Sequence, residues 1–172
     1  MPDYNQSQET MIGVLGGGLR VETTTLAAAT YLKTGGVSTA CFNVYGRNQI
    51  NQMYIEVQTA LGAQACQITF FFDASTPAVA SNPMGAKCAS VSGQGQGARV
   101  VYIGGVVGGT CVITDSACLS DVTCVAPTFI GIESGVGTLG PTSSDASLLS
   151  GTFRMVVHYL PMSDGAYIDP IL

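Results

Sequence analysis

Apolar and polar residues alternate along much of the chain with the period of two that a half-buried β-strand produces. The clearest alternation spans residues 152–160. Pro161 has no backbone N–H and is predicted to end this strand, and the Asp164-Gly165 pair then supplies a tight turn. The face predicted to be buried carries Phe153, Met155, Val157 and Tyr159, whereas the opposite face carries Arg154 and His158.

Weaker alternation of the same kind recurs between clusters of Gly and Pro. Residues 40–45, 50–59 and 66–73 are predicted to form an antiparallel meander, because consecutive strands usually pair. Residues 135–150 are predicted to be a long polar loop, and 20–32 a strand or a short helical turn. About ten short strands at this spacing favour an all-β domain, an antiparallel sandwich or jelly-roll-like barrel with very little helix. Further strands are predicted within residues 86–92, 99–107, 110–114 and 123–132.

The inward positions of these strands define a predicted core. Each carries a large apolar side chain that would be removed from water on folding. The predicted core consists of either Phe42 or Val44, together with Met53, Ile55, Val57, Ile68, Phe70, Phe72, Val101, Ile103, Phe153, Met155, Val157 and Tyr159.

The composition is poor in charge. The 172 residues suit one domain, predicted over 20–172 behind an N-terminal arm at 1–19. Only 10% of residues are charged and 47% are hydrophobic, against a usual charged share of about 25%. Two explanations remain open: other subunits cover much of the surface, or the surface is built from Ser, Thr, Gln, Asn and Gly.

The charge pattern and the hydropathy bear on possible partners. The net charge is −5 and the six basic residues are scattered, whereas a nucleic-acid groove needs clustered cations. The longest uncharged span, residues 100–114, is shorter than a membrane helix requires. The start of the sequence has no basic segment followed by an apolar one, so no export signal is expected. We therefore expect neither nucleic acid nor membrane as a partner.

No cluster of residues indicates catalysis, a cofactor or a metal. The single histidine, His158, has no positioned nucleophile beside it in sequence, and the cysteine spacings match no zinc motif. Tyr54 and Phe71 are predicted to be exposed and suggest a sugar platform only weakly, since the chain has no tryptophan. Most thiols are predicted to be free, with one or two disulfides as the alternative. The six cysteines are Cys41, Cys66, Cys88, Cys111, Cys118 and Cys124.

The arm contains a short apolar segment that is predicted to contact a partner. Three glycines, residues 16–18, separate this segment from the β-domain and provide a joint. An apolar segment beyond such a joint is expected to order on a surface, either in its own subunit or in a neighbour. The predicted contact residues are Met11, Ile12, Val14 and Leu15.

Two stretches of the sequence resemble a group of small virion structural proteins of tailed bacteriophages. The first, residues 37–74, contains the segments Ile55-Glu56-Val57-Gln58-Thr59-Ala60 and Gln64-Ala65-Cys66. The second, residues 150–168, closes with Tyr159-Leu160-Pro161-Met162-Ser163-Asp164-Gly165-Ala166, which is similar to the group's Y-[VL]-P-L-x-D-G-A ending. Gln58 and Met162 depart from the residues usual in the group, and the cysteine-rich middle does not align.

The resemblance implies a non-enzymatic structural role without cofactor or metal. The expected protein is a capsid decoration or cement protein, a homotrimer on the shell of the major capsid protein. It would be assembled in the host cytoplasm and located on the virion surface. The alternative is a β-sandwich module of a tail fibre or adhesin that binds a host surface glycan.

Overall fold

A computed structural model gives the fold of most of the chain. It describes residues 18–32, 40–62, 65–75, 82–84, 86–103, 110–114, 132–143 and 150–171. Within these ranges the only helix is a single turn, and the strands form two antiparallel sheets packed face to face. The predicted all-β sandwich with very little helix is therefore confirmed.

The described ranges contain twelve strands and one helical turn. In chain order they are β1 (Leu19–Glu22), β2 (Leu26–Ala27), α1 (Ala28–Tyr31), β3 (Phe42–Tyr45), β4 (Asn48–Thr59), β5 (Ile68–Ala74), β6 (Asn82–Pro83), β7 (Arg99–Ile103), β8 (Thr110–Thr114), β9 (Ile132–Ser134), β10 (Gly137–Ser143), β11 (Thr152–Pro161) and β12 (Tyr167–Pro170).

The larger sheet is organised around β11, the strand with the clearest sequence pattern. It has the order β1-β11-β4-β7-β8, with β2 also pairing with β11 and β9 with β4. β11 pairs with β4 along its whole length. It ends at Pro161 as predicted, and Gly165 has the positive φ, 70°, that the turn after it needs.

The smaller sheet has the order β12-β3-β10-β5-β6. The predicted meander of residues 40–45, 50–59 and 66–73 is therefore wrong, because β4 lies in the larger sheet while β3 and β5 lie in the smaller one. β3, β4 and β5 each turn an apolar face to the core, and β5 is also buried on its other face at Thr69 and Phe71. Crossing between the sheets after β3 and again after β4 places those faces on opposite sides of one core.

The predicted loop at 135–150 contains β10, which pairs with both β3 and β5. Gly137 allows close strand approach, since a side chain there would meet the Asp73 carbonyl. Pro141 lies opposite Phe70, whose carbonyl accepts from Met84 at 2.8 Å on the far side of β5. A backbone N–H at position 141 would point away from β5 and toward β3, but the pairing of β10 with β3 has already ended before this residue. The missing N–H of Pro141 therefore removes no hydrogen bond between strands.

The core between the sheets matches most of the predicted positions. Val101 is an exception: its neighbours Val100 and Tyr102 are buried instead, because Val100 lies opposite the inward Ile55. Phe72 is only partly buried against the core, and the side chain of Ile103 lies outside the described structure. The remaining predicted residues are buried: Phe42, Val44, Met53, Ile55, Val57, Ile68, Phe70, Phe153, Met155, Val157 and Tyr159.

Residues 86–92 do not form the predicted strand. This segment runs beside β5 and is held by two hydrogen bonds, from the Cys88 N–H to the Ile68 carbonyl at 2.9 Å and from the Val91 N–H to the Cys66 carbonyl at 2.8 Å. Of the predicted strand at 123–132, only its last residue is described, as the start of β9.

Candidate functional site

A row of alternating charges crosses the outer face of the larger sheet, the face away from the core. Glu22 on β1, Arg154 on β11, Glu56 on β4 and Arg99 on β7 follow one another across four strands. Arg154 lies directly opposite Glu56, and Glu56 lies directly opposite Arg99. We call these four residues the charge ladder.

The ladder is held by hydrogen-bonded ion pairs. The Arg154 guanidinium donates from Nη1 to Glu22 at 3.2 Å and from Nη2 to Glu56 at 3.2 Å. Arg99 donates from Nε and Nη2 to the other carboxylate oxygen of Glu56, at 3.2 and 3.1 Å. Glu56 is therefore the central residue, and its side chain is only 14% exposed. The arrangement joins strands and carries no nucleophile.

Replacing Glu56 with Gln should lower the free energy of unfolding by about 1–2 kcal/mol, because two half-buried guanidinium groups lose their shared counter-charge. Urea denaturation measures the difference. Glu22→Gln is the matched control. The Glu22 side chain is 38% exposed, so its loss should cost less than about 1 kcal/mol. Equal effects of the two substitutions would contradict a central role for Glu56.

Aromatic side chains pack against this ladder. Tyr54 on β4 is 9% exposed: the Arg99 guanidinium lies 5.1 Å from its ring centroid, and the His158 ring lies 6.3 Å away. Phe71, on the smaller sheet, is 1% exposed. The predicted exposure of Tyr54 and Phe71 is therefore wrong, and these two side chains form no sugar platform. Stacking and cation–π contact cover Tyr54 because the ladder lies beside it.

His158 is held in its neutral form at this face. Partial burial, and secondarily the positive charge of Arg20 opposite it in β1, lower the pKa of His158 below its ordinary 6.5. At pH values just below 6.5, His158 therefore binds a proton more readily in the unfolded chain than in the folded protein.

The free energy of unfolding should therefore fall as the pH drops below about 6.5, since the unfolded state then binds more protons. Urea denaturation between pH 7.5 and about 5.5 measures this slope. His158→Gln is expected to flatten it, because His158 is the only histidine of the chain. The same slope in both proteins would contradict this assignment.

An exposed apolar row lies at one end of the smaller sheet. Among the residues whose burial the structure describes, the large apolar side chains that remain exposed are Tyr45, Val136, Met162 and Tyr167, between 37% and 48%. Tyr45 and Tyr167 lie opposite each other in β3 and β12, and their rings stack with centroids 4.4 Å apart. We call these four residues the end row.

Val136 lies beside Tyr45, and Met162 lies at the adjoining turn after β11. Val136 precedes Gly137, which lies opposite Val44, so Val136 continues the row beyond Tyr45. Met162 follows β11, and its N–H donates to the Arg47 carbonyl at 2.8 Å. The row thus lies across β12, β3 and the start of β10, beside the turn after β11.

The closing motif of the sequence builds this end of the protein. The Ala166 N–H donates to the Ser163 carbonyl at 3.1 Å, and Ser163 Oγ accepts from the Arg47 N–H at 3.1 Å. Ala166 is 8% exposed and packs against Gly46, where an added side chain would meet it. The motif therefore holds the β11–β12 turn against the β3–β4 turn by hydrogen bonds and packing. Tyr167, which follows the motif, lies opposite Tyr45.

The other candidate residues are placed as follows. Cys41, Cys66 and Cys88 are buried free thiols, and burial raises the pKa of Cys41 to about 12. The side chains of Cys111, Cys118 and Cys124 lie outside the described structure. The predicted contact residues of the arm also lie outside it: Met11, Ile12, Val14 and Leu15.

Among the described residues, no group of three or more His, Cys, Asp or Glu residues is placed to hold a metal ion. No helix in those ranges is long and apolar enough to cross a membrane.

The end row was not predicted from the sequence. The available signal is the alternation within two short strands: Val44 and Ile168 face the core, which turns Tyr45 and Tyr167 outward. Whether the four residues come together depends on the order of the strands in the sheets. Alternation within a strand gives no information about that order.

Comparison with known proteins gives no relative: the chain matches no family model, and no curated protein or solved structure shows significant similarity to it.

Proposed function

We propose that this protein is a non-enzymatic structural protein of a tailed-bacteriophage virion, a capsid decoration or cement protein bound to the shell of the major capsid protein. It acts as a homo-oligomer, most simply a homotrimer, is assembled in the host cytoplasm and is located on the capsid surface. The proposal starts from the resemblance of residues 37–74 and 150–168.

The observation that carries the proposal is the end row. Four exposed apolar side chains occupy one end of the sandwich, and the closing motif on which the resemblance rests contains one of them, Met162, and leads directly into another, Tyr167. A water-exposed apolar row that includes stacked tyrosines is typical of a protein contact surface, where Tyr and Met are enriched.

The opposite face of the protein supports a structural role in a different way. The charges of the ladder pair with one another across four strands. Ion pairs that tie four strands together stiffen the sheet, and a rigid subunit loses less conformational entropy when it joins a lattice.

A tail-fibre or adhesion module that binds a host glycan is the second candidate. The stacked and exposed pair Tyr45 and Tyr167 favours it, because an aromatic face can pack against a sugar ring. In that role the end row would contact carbohydrate instead of protein.

Copy number in purified virions separates the two roles. Quantitative gel densitometry should give an amount comparable to that of the major capsid protein if the protein decorates the shell. Purified protein should also bind saturably to particles that lack it. A few copies per particle, located at the tail, would reject the decoration role in favour of adhesion, and absence from virions would reject both.

A further inference from the structure

We propose that Tyr167 and Asp169 of β12 bind an arginine side chain of a partner protein. This inference rests on the contact role that the proposed function gives to the end row, and it names the chemistry of the partner. Tyr167 belongs to that row, and Asp169 lies beside it on the same face of β12. On its larger sheet, the protein itself holds an arginine in the same arrangement of side chains.

The arrangement on the larger sheet lies in β4. Ile55 is buried in the core, so its neighbours Tyr54 and Glu56 both lie on the outer face. The Arg99 guanidinium lies 5.1 Å from the Tyr54 ring centroid and donates to Glu56 from Nε and Nη2, at 3.2 and 3.1 Å. His158 of β11 stacks on the same tyrosine. A tyrosine and a carboxylate two residues apart thus bind one guanidinium together.

The same pattern recurs in β12, where Tyr167, Ile168 and Asp169 follow one another. Ile168 is buried in the core, which turns Tyr167 and Asp169 to the outer face of the smaller sheet. The Tyr45 ring stacks on that of Tyr167 from the neighbouring strand β3, as a ring from β11 does in the first arrangement. The two arrangements therefore share the tyrosine, the carboxylate and a stacked ring from the adjacent strand.

The sheet topology decides which chain can supply an arginine to each arrangement. β4 is an inner strand, and Arg99 on the adjacent β7 lies directly opposite Glu56. β12 is an edge strand of the smaller sheet, so no further strand of that sheet follows it. β1 of the larger sheet contacts this edge, but its Arg20 pairs with Glu22. An arginine at the corresponding position beside β12 would therefore come from another chain.

Exposure and charge favour a cationic partner side chain. Tyr167 is 47% exposed, and Asp169 is exposed as well. No described residue forms a hydrogen bond or an ion pair with the Asp169 side chain. The five strands of the smaller sheet carry two carboxylates, Asp73 and Asp169, and no basic residue. A positively charged side chain would thus meet a surface of complementary charge.

Arginine fits this surface better than lysine does. A guanidinium is planar, so one of its faces packs on a tyrosine ring while its N–H groups donate to a carboxylate. Arg99 makes both contacts at once. A lysine ammonium is more strongly hydrated and has no flat face to stack. We therefore expect the partner to present an arginine to the edge of β12.

NMR titration of the full ¹⁵N-labelled chain tests the site directly. The probes are blocked tripeptides with arginine, lysine or citrulline between two glycines; citrulline has the shape of arginine without its charge. The arginine peptide should shift the resonances of Tyr45, Tyr167 and Asp169, with at least about threefold higher affinity than the other two peptides. Equal binding of the lysine or citrulline peptide, shifts confined to other regions, or no shifts would overturn the proposal. Shifts at this site with glucose or galactose but not with the arginine peptide would assign it to carbohydrate instead.

Substitutions locate the binding. Asp169→Asn and, separately, Tyr167→Leu should each lower the affinity for the arginine peptide at least about threefold. Asp164→Asn is the matched control, because it removes the same charge from an exposed residue of the β11–β12 turn. Its effect should stay below about twofold. Circular dichroism shows whether each variant is folded, and equal effects of Asp169→Asn and Asp164→Asn would contradict the site.

Attachment to virions separates this inference from the proposed function. Particles that lack the protein are treated with phenylglyoxal, which modifies arginine, or with sulfo-NHS-acetate, which acetylates lysine, and electron microscopy checks that they are intact. Arginine modification of the particles and Asp169→Asn in the protein should each weaken attachment at least about tenfold, whereas lysine acetylation should not. Attachment that survives both changes overturns only the arginine site. A protein that binds the arginine peptide at β12 but is absent from virions loses only the proposed function.

Discussion

Truncation of Phe153 to Ala is expected to lower the free energy of unfolding by about 3–5 kcal/mol, the largest effect of any single core substitution considered. Phe153 lies in β11 with no exposed surface, opposite Val57 of β4 and Leu26 of β2. Its ring also meets that of Tyr31 edge-on, with centroids 6.4 Å apart. The cavity left by truncation would thus adjoin three separate elements.

Phe72→Ala is the matched control, because it removes the same side chain from a position that is only partly buried against the core. Its loss should be smaller, below about 2 kcal/mol, since the site opens to water and leaves no closed cavity. Urea denaturation followed by circular dichroism measures both. A loss below about 1 kcal/mol for Phe153→Ala would show that the two sheets do not pack as described.

Gly151→Ala should cost at least about 3 kcal/mol, because two separate penalties coincide at this residue. Its φ of +99° is one that a residue with a side chain rarely adopts. A Cβ there would also lie 2.9 Å from the Thr59 carbonyl oxygen and closer still to that of Ala60. Both obstacles are backbone, so β11 would have to shift relative to β4 just before it begins.

Gly165→Ala separates the two penalties. Gly165 has a φ of +70°, but no atom lies within 4 Å of an added Cβ, so only the conformational cost of about 1 kcal/mol applies. Thermal and urea unfolding of the two variants should therefore differ by about 2 kcal/mol. Similar losses for both would show that the contact with Ala60 and Thr59 relaxes without cost.

Alternation in the sequence predicted most of the strands and most of the core. In β11, Phe153, Met155, Val157 and Tyr159 alternate with mainly polar residues, and only Val156 is also buried on the other face, so the core face of the strand, its end at Pro161 and the turn at Gly165 follow from local rules. β7 shows where such rules stop. Its sequence Arg-Val-Val-Tyr-Ile is apolar on both faces, and only pairing with β4 decides that Val100 rather than Val101 turns inward.

β10 could not be predicted from local propensity. Its residues, Gly-Thr-Leu-Gly-Pro-Thr-Ser, include three that are unfavourable in strands. They form a strand because β3 and β5 flank it, Gly137 permits close approach, and Pro141 faces a side where no donor is needed. Pairing with β3 and β5 outweighs the low strand propensity of this segment. The consecutive strands β3, β4 and β5 do not form a meander, because the chain crosses to the other sheet after β3 and again after β4.

The sequence by itself determined the β class, the buried face of the long strands and the turn of the closing motif, because these depend on neighbours along the chain. Only the tertiary structure decided which strands share a sheet and therefore which side chains meet. It covered Tyr54 with Arg99 and His158, although alternation turns that residue outward. It also joined Tyr45, Val136, Met162 and Tyr167, from three distant parts of the sequence, into one exposed row.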